Sequence, residues 1–222
     1  MALRRMARGR STDTAERILL QALDLFNRFG EPHVSPAQIS GMLGISPGNM
    51  YYHYPSKSDL VVALFETYTR RCLRLWPASH DIQNIEDAWF FIHTLFETIS
   101  EFRFIYRDSS SLLSKNLQLE NMIQMHCQKN IDALERIVQG LYLQGQIALS
   151  KEVDTRVLAT NMALILTNWL NFDYTRAPRK ALERDYAERA LVSGVKHLLH
   201  MLLPYTRGNA GAHLLSLSRA YV

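Results

Sequence analysis

Residues 33–60 read HVSPAQISGMLGISPGNMYYHYPSKSDL, and their punctuation predicts three helices in close succession. Ser35 stands as an N-cap, with Pro36 at the first helical position and Gln38 as capping-box partner at the third. Ile39 and Leu43, four apart, share one apolar face, and the small Ser40 beside them lets another helix cross closely. Gly44 supplies the left-handed residue that ends this helix. Ser46 caps again, Pro47 opens a second helix whose Met50 returns to the core, and Ser56 with Asp59 opens a third. Short helix, glycine turn, short helix is the helix-turn-helix pattern, in which the second helix lies in the major groove of DNA.

Upstream, a helix over 13–29 is expected, with Ile18, Ala22, Phe26 and Phe29 recurring as one core-facing stripe and Gly30 as its stop. Residues 1–11 read as a flexible basic arm: Arg4, Arg5, Arg8 and Arg10 occur with no acid among them. Such an arm is either a solvated tail or a segment that follows phosphates or enters the minor groove. Charge supports a polyanion partner for this part of the chain. Residues 1–75 hold ten Lys or Arg against six Asp or Glu, and the remaining residues hold fifteen of each. The whole excess thus lies in the helix-turn-helix third, divided into the arm, a head over 12–56 and a connecting helix over 57–76.

By side-chain inventory, Asn49 is the best base reader, because its amide pairs with adenine at two points. Pro47 and Gly48 bring the backbone close to a thymine methyl, while Tyr51, Tyr52, His53 and Lys57 suit phosphate oxygens. Tyr52 and Tyr54 read equally well as packing, since alternate positions on so short a helix cannot all face outward.

LGISPGNMYYHYPSKSDL resembles the DNA-reading segment of the TetR family of bacterial transcriptional regulators, and the preceding RILLQALDLFNRFGEPHVSPAQIS resembles that family's first two helices. The resemblance covers roughly residues 12–65, and the tyrosine pair, His53, Tyr54 and Lys57 make it more specific than a generic helix-turn-helix. It implies an all-α protein that contacts double-stranded DNA through Ser35, Pro47, Gly48, Asn49, Tyr51, Tyr52, His53 and Lys57. Many relatives carry lysine, glycine and threonine where this chain has Pro47, Gly48 and Asn49, so the operator sequence is not legible here. The resemblance further implies that residues 77–222 form a helical domain that binds a small, largely apolar effector and pairs with a second copy. Candidate effector residues are Trp89, Phe96, Phe102, Phe104, Tyr106, Trp169 and Phe172. Two apolar stripes are candidate dimer seams: Leu158, Met162, Ile165, Leu166 and Trp169, and Leu191, Val195, Leu198 and Leu202.

Within that second part, PASHDIQN at 77–84 breaks the helical pattern and marks a boundary. Helices are expected over roughly 116–144, 154–172 and 182–203, ended by Gly145 after the first and Pro204 after the last. Residues 205–222 read either as a short docked helix or as a loop. The chain has 222 residues, 47% of them apolar, and two lone cysteines that fit a reducing cytoplasm. No apolar run approaches the roughly 18 residues of a membrane span. The sequence has no G-x-S-x-G, P-loop, dinucleotide fingerprint or H-E-x-x-H, so nothing calls for a cofactor or supports an enzyme. His93, Glu97 and Glu101, four apart, read as a hydrophilic helix edge before they read as a metal site. The rival to an effector-responsive regulator is an architectural DNA-binding dimer whose second domain is purely structural.

Overall fold

A computed structural model describes residues 2–114, 116–179 and 184–219, with side chains described from Asp13 onward except at 184, 185 and 187. Eleven α-helices and no named strand occur among the described residues. The head comprises α1 (Ala2–Phe29), α2 (Pro36–Leu43) and α3 (Pro47–His53), and α4 (Lys57–Leu75) rises out of it. The second part contains α5 (Ile85–Glu101), the short α6 (Phe104–Arg107) and α7 (Ser109–Leu113), and the long α8 (Leu117–Leu143), α9 (Thr155–Arg176) and α10 (Arg184–His200). A final α11 (Ala210–Arg219) follows.

Side-chain caps form at helix starts, among them the expected Ser35, Ser46, Ser56 and Asp154, whereas α1 runs through Ser11 and Thr12, where its cap was expected. Ser35, Ser46, Ser56, Asn116 and Asp154 each accept a backbone N–H at the start of a helix, at α2, α3, α4, α8 and α9 respectively. In the head, Ile18, Ala22, Phe26, Ile39, Met50 and Leu60 are buried together. Phe29, expected in that stripe, is 51% exposed; Leu25 is buried instead, because the stripe drifts around the helix in its final turn. The first helix starts at Ala2, where a flexible arm was expected, since ALRRMAR consists of good helix formers.

On α4, Leu60, Val61, Leu64, Phe65, Tyr68 and Cys72 are all buried, and the core runs unbroken from Ile18 to Leu214. The connecting helix therefore belongs to both parts. Beyond it, α8 packs on α9, α9 on α10 and α10 on α5. Helices α10, α5 and α9 approach so closely at Gly194 that a Cβ there would sit 2.6 Å from Phe96 and 2.7 Å from Trp169. The question left open by 205–222 resolves into a docked helix for the described residues. Ala210, Leu214 and Ser218 of α11, four apart, are buried, and α11 packs on α5. Ahead of it the backbone pairs with the turn after α8: Ala148 N donates to Tyr205 O (2.7 Å) and Arg207 N to Gln146 O (2.9 Å).

Candidate nucleic-acid interface

Gly44 adopts φ +66°, the left-handed conformation that lets α2 turn into α3 within three residues. Ser46 Oγ then accepts Asn49 N (3.2 Å), and Met50, 1% exposed, anchors α3 in the head's core. With that anchor fixed, Pro47, Gly48 and Asn49 face outward, and a Cβ at Gly48 would meet only Ser46 Oγ, at 4.0 Å. Tyr51 and Tyr52 are 48% and 78% exposed. Neither phenol, nor the Asn49 amide, has a hydrogen-bond partner among the described residues. His53 is half-buried with its ring edge-on to Tyr52. The packing alternative thus divides the two tyrosines it covered: Tyr52 faces solvent, whereas the half-buried Tyr54 donates its hydroxyl to Ala15 O (3.3 Å), and burial raises its pKa.

Ser35 is exposed but engaged. Its Oγ accepts Gln38 N (3.3 Å) and its own N–H donates to Gln38 Oε1 (2.7 Å). Lys57 departs from the expected phosphate contact. Its ammonium donates to Glu31 O (2.7 Å) and Val34 O (3.0 Å) and pairs with Glu31 Oε1 (2.9 Å), so it clamps the turn between α1 and α2. The reason is proximity: the first turn of α4 lies against a buried carboxylate, and a buried charge demands a partner. The side chains of Arg4 and Arg5 lie outside the described residues.

The same turn joins the head to the second part. Arg107 donates to Phe26 O (2.7 Å) and Asn27 O (3.0 Å), placing a cation on carbonyls in the last turn of α1. Its guanidinium also pairs with Asp108, whose Oδ2 accepts Glu31 N (2.8 Å). Asn27 completes the joint by donating to Glu101 O (2.7 Å) and accepting Phe104 N (3.1 Å). Composition gave no sign of this joint, because its members are scattered between positions 27 and 108 and none belongs to a motif.

A family model described as TetR, bacterial transcriptional repressor, matches residues 66–214, more than half of the chain. The chain belongs to the TetR family. The match begins beyond α3, so it is independent of the reading helix, and the solved relatives extend the likeness over the head. A TetR-family transcriptional regulator from Marinobacter aquaeolei VT8 is 28% identical, with TM-score 0.79, and the alignment covers 94% of this chain and 98% of that one. A gamma-butyrolactone receptor described as ArpA-like shares the fold at 16% identity and TM-score 0.67, covering 96% and 98% of the two chains. A transcriptional regulator from Saccharomonospora viridis in complex with choline does so at 19% identity and TM-score 0.62, covering 84% and 97%. Among curated proteins none matches.

In this TetR-family chain the seven candidate effector residues do not converge. Phe104 packs on Phe26 at the joint (ring centroids 5.3 Å), and Phe96 and Trp169 flank Gly194. Phe102 packs on Tyr68, and the Tyr106 hydroxyl meets that of Tyr68 at 2.6 Å. Trp89 stacks on His93, and Phe172 is 53% exposed. Aromatic density signalled core more than it signalled a pocket. Of the hydrophilic edge on α5, Glu97 takes His93 (3.3 Å), while Glu101 is drawn off to Arg71.

At the heart of the second part lies a polar cluster that sequence reading missed. Thr69 Oγ1 meets His126 Nε2 (2.8 Å), Trp76 Nε1 donates to Asn130 Oδ1 (2.9 Å), and the His126 ring stacks on Tyr68. Burial holds the His126 pKa down at about 4. The available signal was the i, i+4 spacing of His126 and Asn130 on one face of α8.

The candidate dimer stripes need correction as well. Leu158, Met162, Leu166 and Trp169, with Leu191, Val195, Leu198 and Leu202, are buried within the protomer, and Ile165 is half-buried. Apolar residues occupy both faces of α9, so periodicity could not tell inward from outward. The face left bare carries Val157, Leu164 and Phe172, each more than half exposed, with Asn161 and Asn168 between them.

Proposed function

We propose that this protein is a cytoplasmic, homodimeric transcriptional repressor that sets two copies of α3 against an operator and is released or retuned by a small, largely apolar effector. The observation that carries this reading is the outward trio of Asn49, Tyr51 and Tyr52 on a helix anchored by Met50. Asn49 reads a base edge, Pro47 and Gly48 approach a thymine methyl, and the phenols and His53 meet phosphate and sugar. One two-turn helix buries too little surface for tight specific binding, so two heads spaced about 34–36 Å apart read successive major grooves. The bare stripe of Val157, Leu164 and Phe172 supplies the face for pairing, an apolar surface that a soluble monomer rarely leaves open.

An effector acts by favouring a head spacing that misfits the operator, through a coupling of about 1–3 kcal/mol. The joint through Asn27, Glu31, Arg107 and Asp108 is the route, since it ties the end of α1 to α6. Footprinting DNA from upstream of the gene with the purified protein tests the reading. The expected result is protection of two half-sites about one helical turn apart, lost in Asn49→Ala combined with Tyr51→Phe. No protected site, or protection indifferent to those substitutions, overturns it. The effector-free alternative draws support from the second part's interior, which rings fill rather than line. It prevails if no compound class raises the melting temperature.

A further inference from the structure

The first ten residues carry the whole charge excess of the molecule. They hold Arg4, Arg5, Arg8 and Arg10 and no acid, a charge of +4, and +4 is also the formal net charge of the entire chain. Residues 11–75 hold six Lys or Arg against six Asp or Glu, so the head and connecting helix without those ten residues are neutral. Inside the head, Lys57 is held by Glu31, and Arg28 pairs with Asp24. Asn49, Tyr51 and Tyr52 offer hydrogen bonds and no charge. A duplex-binding module draws its sequence-independent affinity from cations that neutralise phosphates, and here those cations are concentrated ahead of the head.

The backbone decides where they stand. Helix α1 is continuous from Ala2 to Phe29, so residues 2–12 prolong its axis beyond the head. Tyr54, which ends α3, donates to Ala15 O, and that bond marks where α1 passes the reading helix. From Ala15 back to Ala2 the helix advances about 20 Å, the axial length of about six phosphates on one strand. Register gives the side. Arg4 and Arg8 stand five full turns ahead of Ala22 and Phe26, both buried in the head's core, and Arg5 flanks them. The face that is apolar inside the head thus turns cationic ahead of it, whereas Arg10 falls on the opposite side. This stretch is a weak helix by itself, since Arg4 and Arg8 are like charges four apart and Gly9 is a poor helix former. An anionic strand alongside relieves that repulsion. A helix about 10–12 Å across does not enter a minor groove about 6 Å wide, so of the two DNA contacts open to the arm, the phosphates fit and the minor groove does not.

We propose that residues 2–12 form a helical basic arm that lies along the phosphates beside the half-site read by α3, with Arg4, Arg5 and Arg8 as its contacts. The proposal rests on the regulator reading above and adds to it the source of the electrostatic affinity. Recognition and attraction are thereby divided within the head: α3 supplies groups that tell one base pair from another, and the arm supplies charge that holds any duplex. Two arms in a dimer make about six phosphate contacts, and each released counterion contributes about 0.9 to the slope of log affinity against log salt.

Fluorescence anisotropy over a range of salt concentrations tests it, with the full-length protein and a duplex carrying the footprinted site, and phosphate-ethylation interference as a second readout. Arg4→Gln, Arg5→Gln and Arg8→Gln combined are expected to lower the salt slope by about five and to weaken binding at least tenfold at about 0.1 M salt. Interference at phosphates beside each half-site should vanish, while the melting temperature and the preference at the base pair read by Asn49 hold. Lysine at the same three positions should keep both slope and interference, and Arg10→Gln should leave the slope nearly unchanged. Three results overturn the arm. The triple glutamine variant keeps slope and interference, as a solvated tail would; Arg10→Gln lowers the slope as much as any single contact residue, as diffuse attraction would; or the lysine variant fails as the glutamine variant does. An arm overturned in any of these ways leaves the Asn49-dependent regulator reading standing, whereas absence of DNA binding by the unsubstituted protein removes that reading and the arm with it.

Discussion

The reading helix and the joint behind it treat their polar groups in opposite ways. On α3, Asn49, Tyr51 and Tyr52 hold their hydrogen-bonding groups out with no partner among the described residues. At the joint, Asn27, Arg107 and Asp108 are bonded across the boundary between the two parts, and Lys57 is bonded to the turn ahead of α2. The difference shows how one chain separates recognition from positioning. A group meant for an external partner stays hydrated and unspent, while a group meant to fix an angle is buried, where an unmet bond is costly. Lys57 is the instructive member, because its place beside the reading helix suggests recognition and its bonds show positioning.

The largest expected effect breaks the comparison at that residue. Lys57→Met removes the ammonium from the Glu31 carboxylate, which is 3% exposed, and from the carbonyls of Glu31 and Val34, and should lower stability in urea unfolding by about 1–3 kcal/mol. If Lys57 were a phosphate contact instead, stability would hold and the salt slope of DNA binding would fall by about one. Next comes the buried side of the second part. His126 takes up its proton only near pH 4 in the folded protein, against about 6.5 unfolded, so the unfolded chain binds more protons between those values. Stability fully present above pH 6.5 should therefore fall by up to about 3 kcal/mol as pH drops toward 4, and His126→Gln should flatten that part of the profile measured by thermal melts.

Smaller effects sharpen the comparison on the exposed side. Asn49→Ala should lose about 1–3 kcal/mol of discrimination at one base pair while the melting temperature holds, as read by competition against operator variants. Tyr51→Phe and Tyr52→Phe should each weaken specific and nonspecific DNA binding alike by about 1 kcal/mol, with stability unchanged. Tyr54→Phe should do the reverse, losing about 1 kcal/mol of stability with its bond to Ala15 O and leaving DNA affinity intact. An identical response from all three tyrosines would erase the distinction between the two regions.

Capping chemistry, glycine turns and apolar periodicity are local, and so the sequence by itself determined the helices of the head, the glycine turn at Gly44 and the outward face of Pro47, Gly48 and Asn49. The same local rules placed the starts of α8 and α9 at Asn116 and Asp154. What faces what across tens of residues is not local. Tyr52 and Tyr54, two apart on one short helix, were indistinguishable until the packing of α1 received one and left the other in water. Apolar residues on both sides of α9 gave two equivalent stripes, and only the positions of α8 and α10 decided that Leu158, Met162 and Leu166 are core while Val157, Leu164 and Phe172 are bare. Lys57 was assigned by its neighbours in sequence, but a half-buried charge is settled by its neighbours in space, and those are Glu31 and Val34. Tertiary structure alone decided these cases because burial and charge pairing are properties of a closed surface, which no stretch of the chain possesses before it folds.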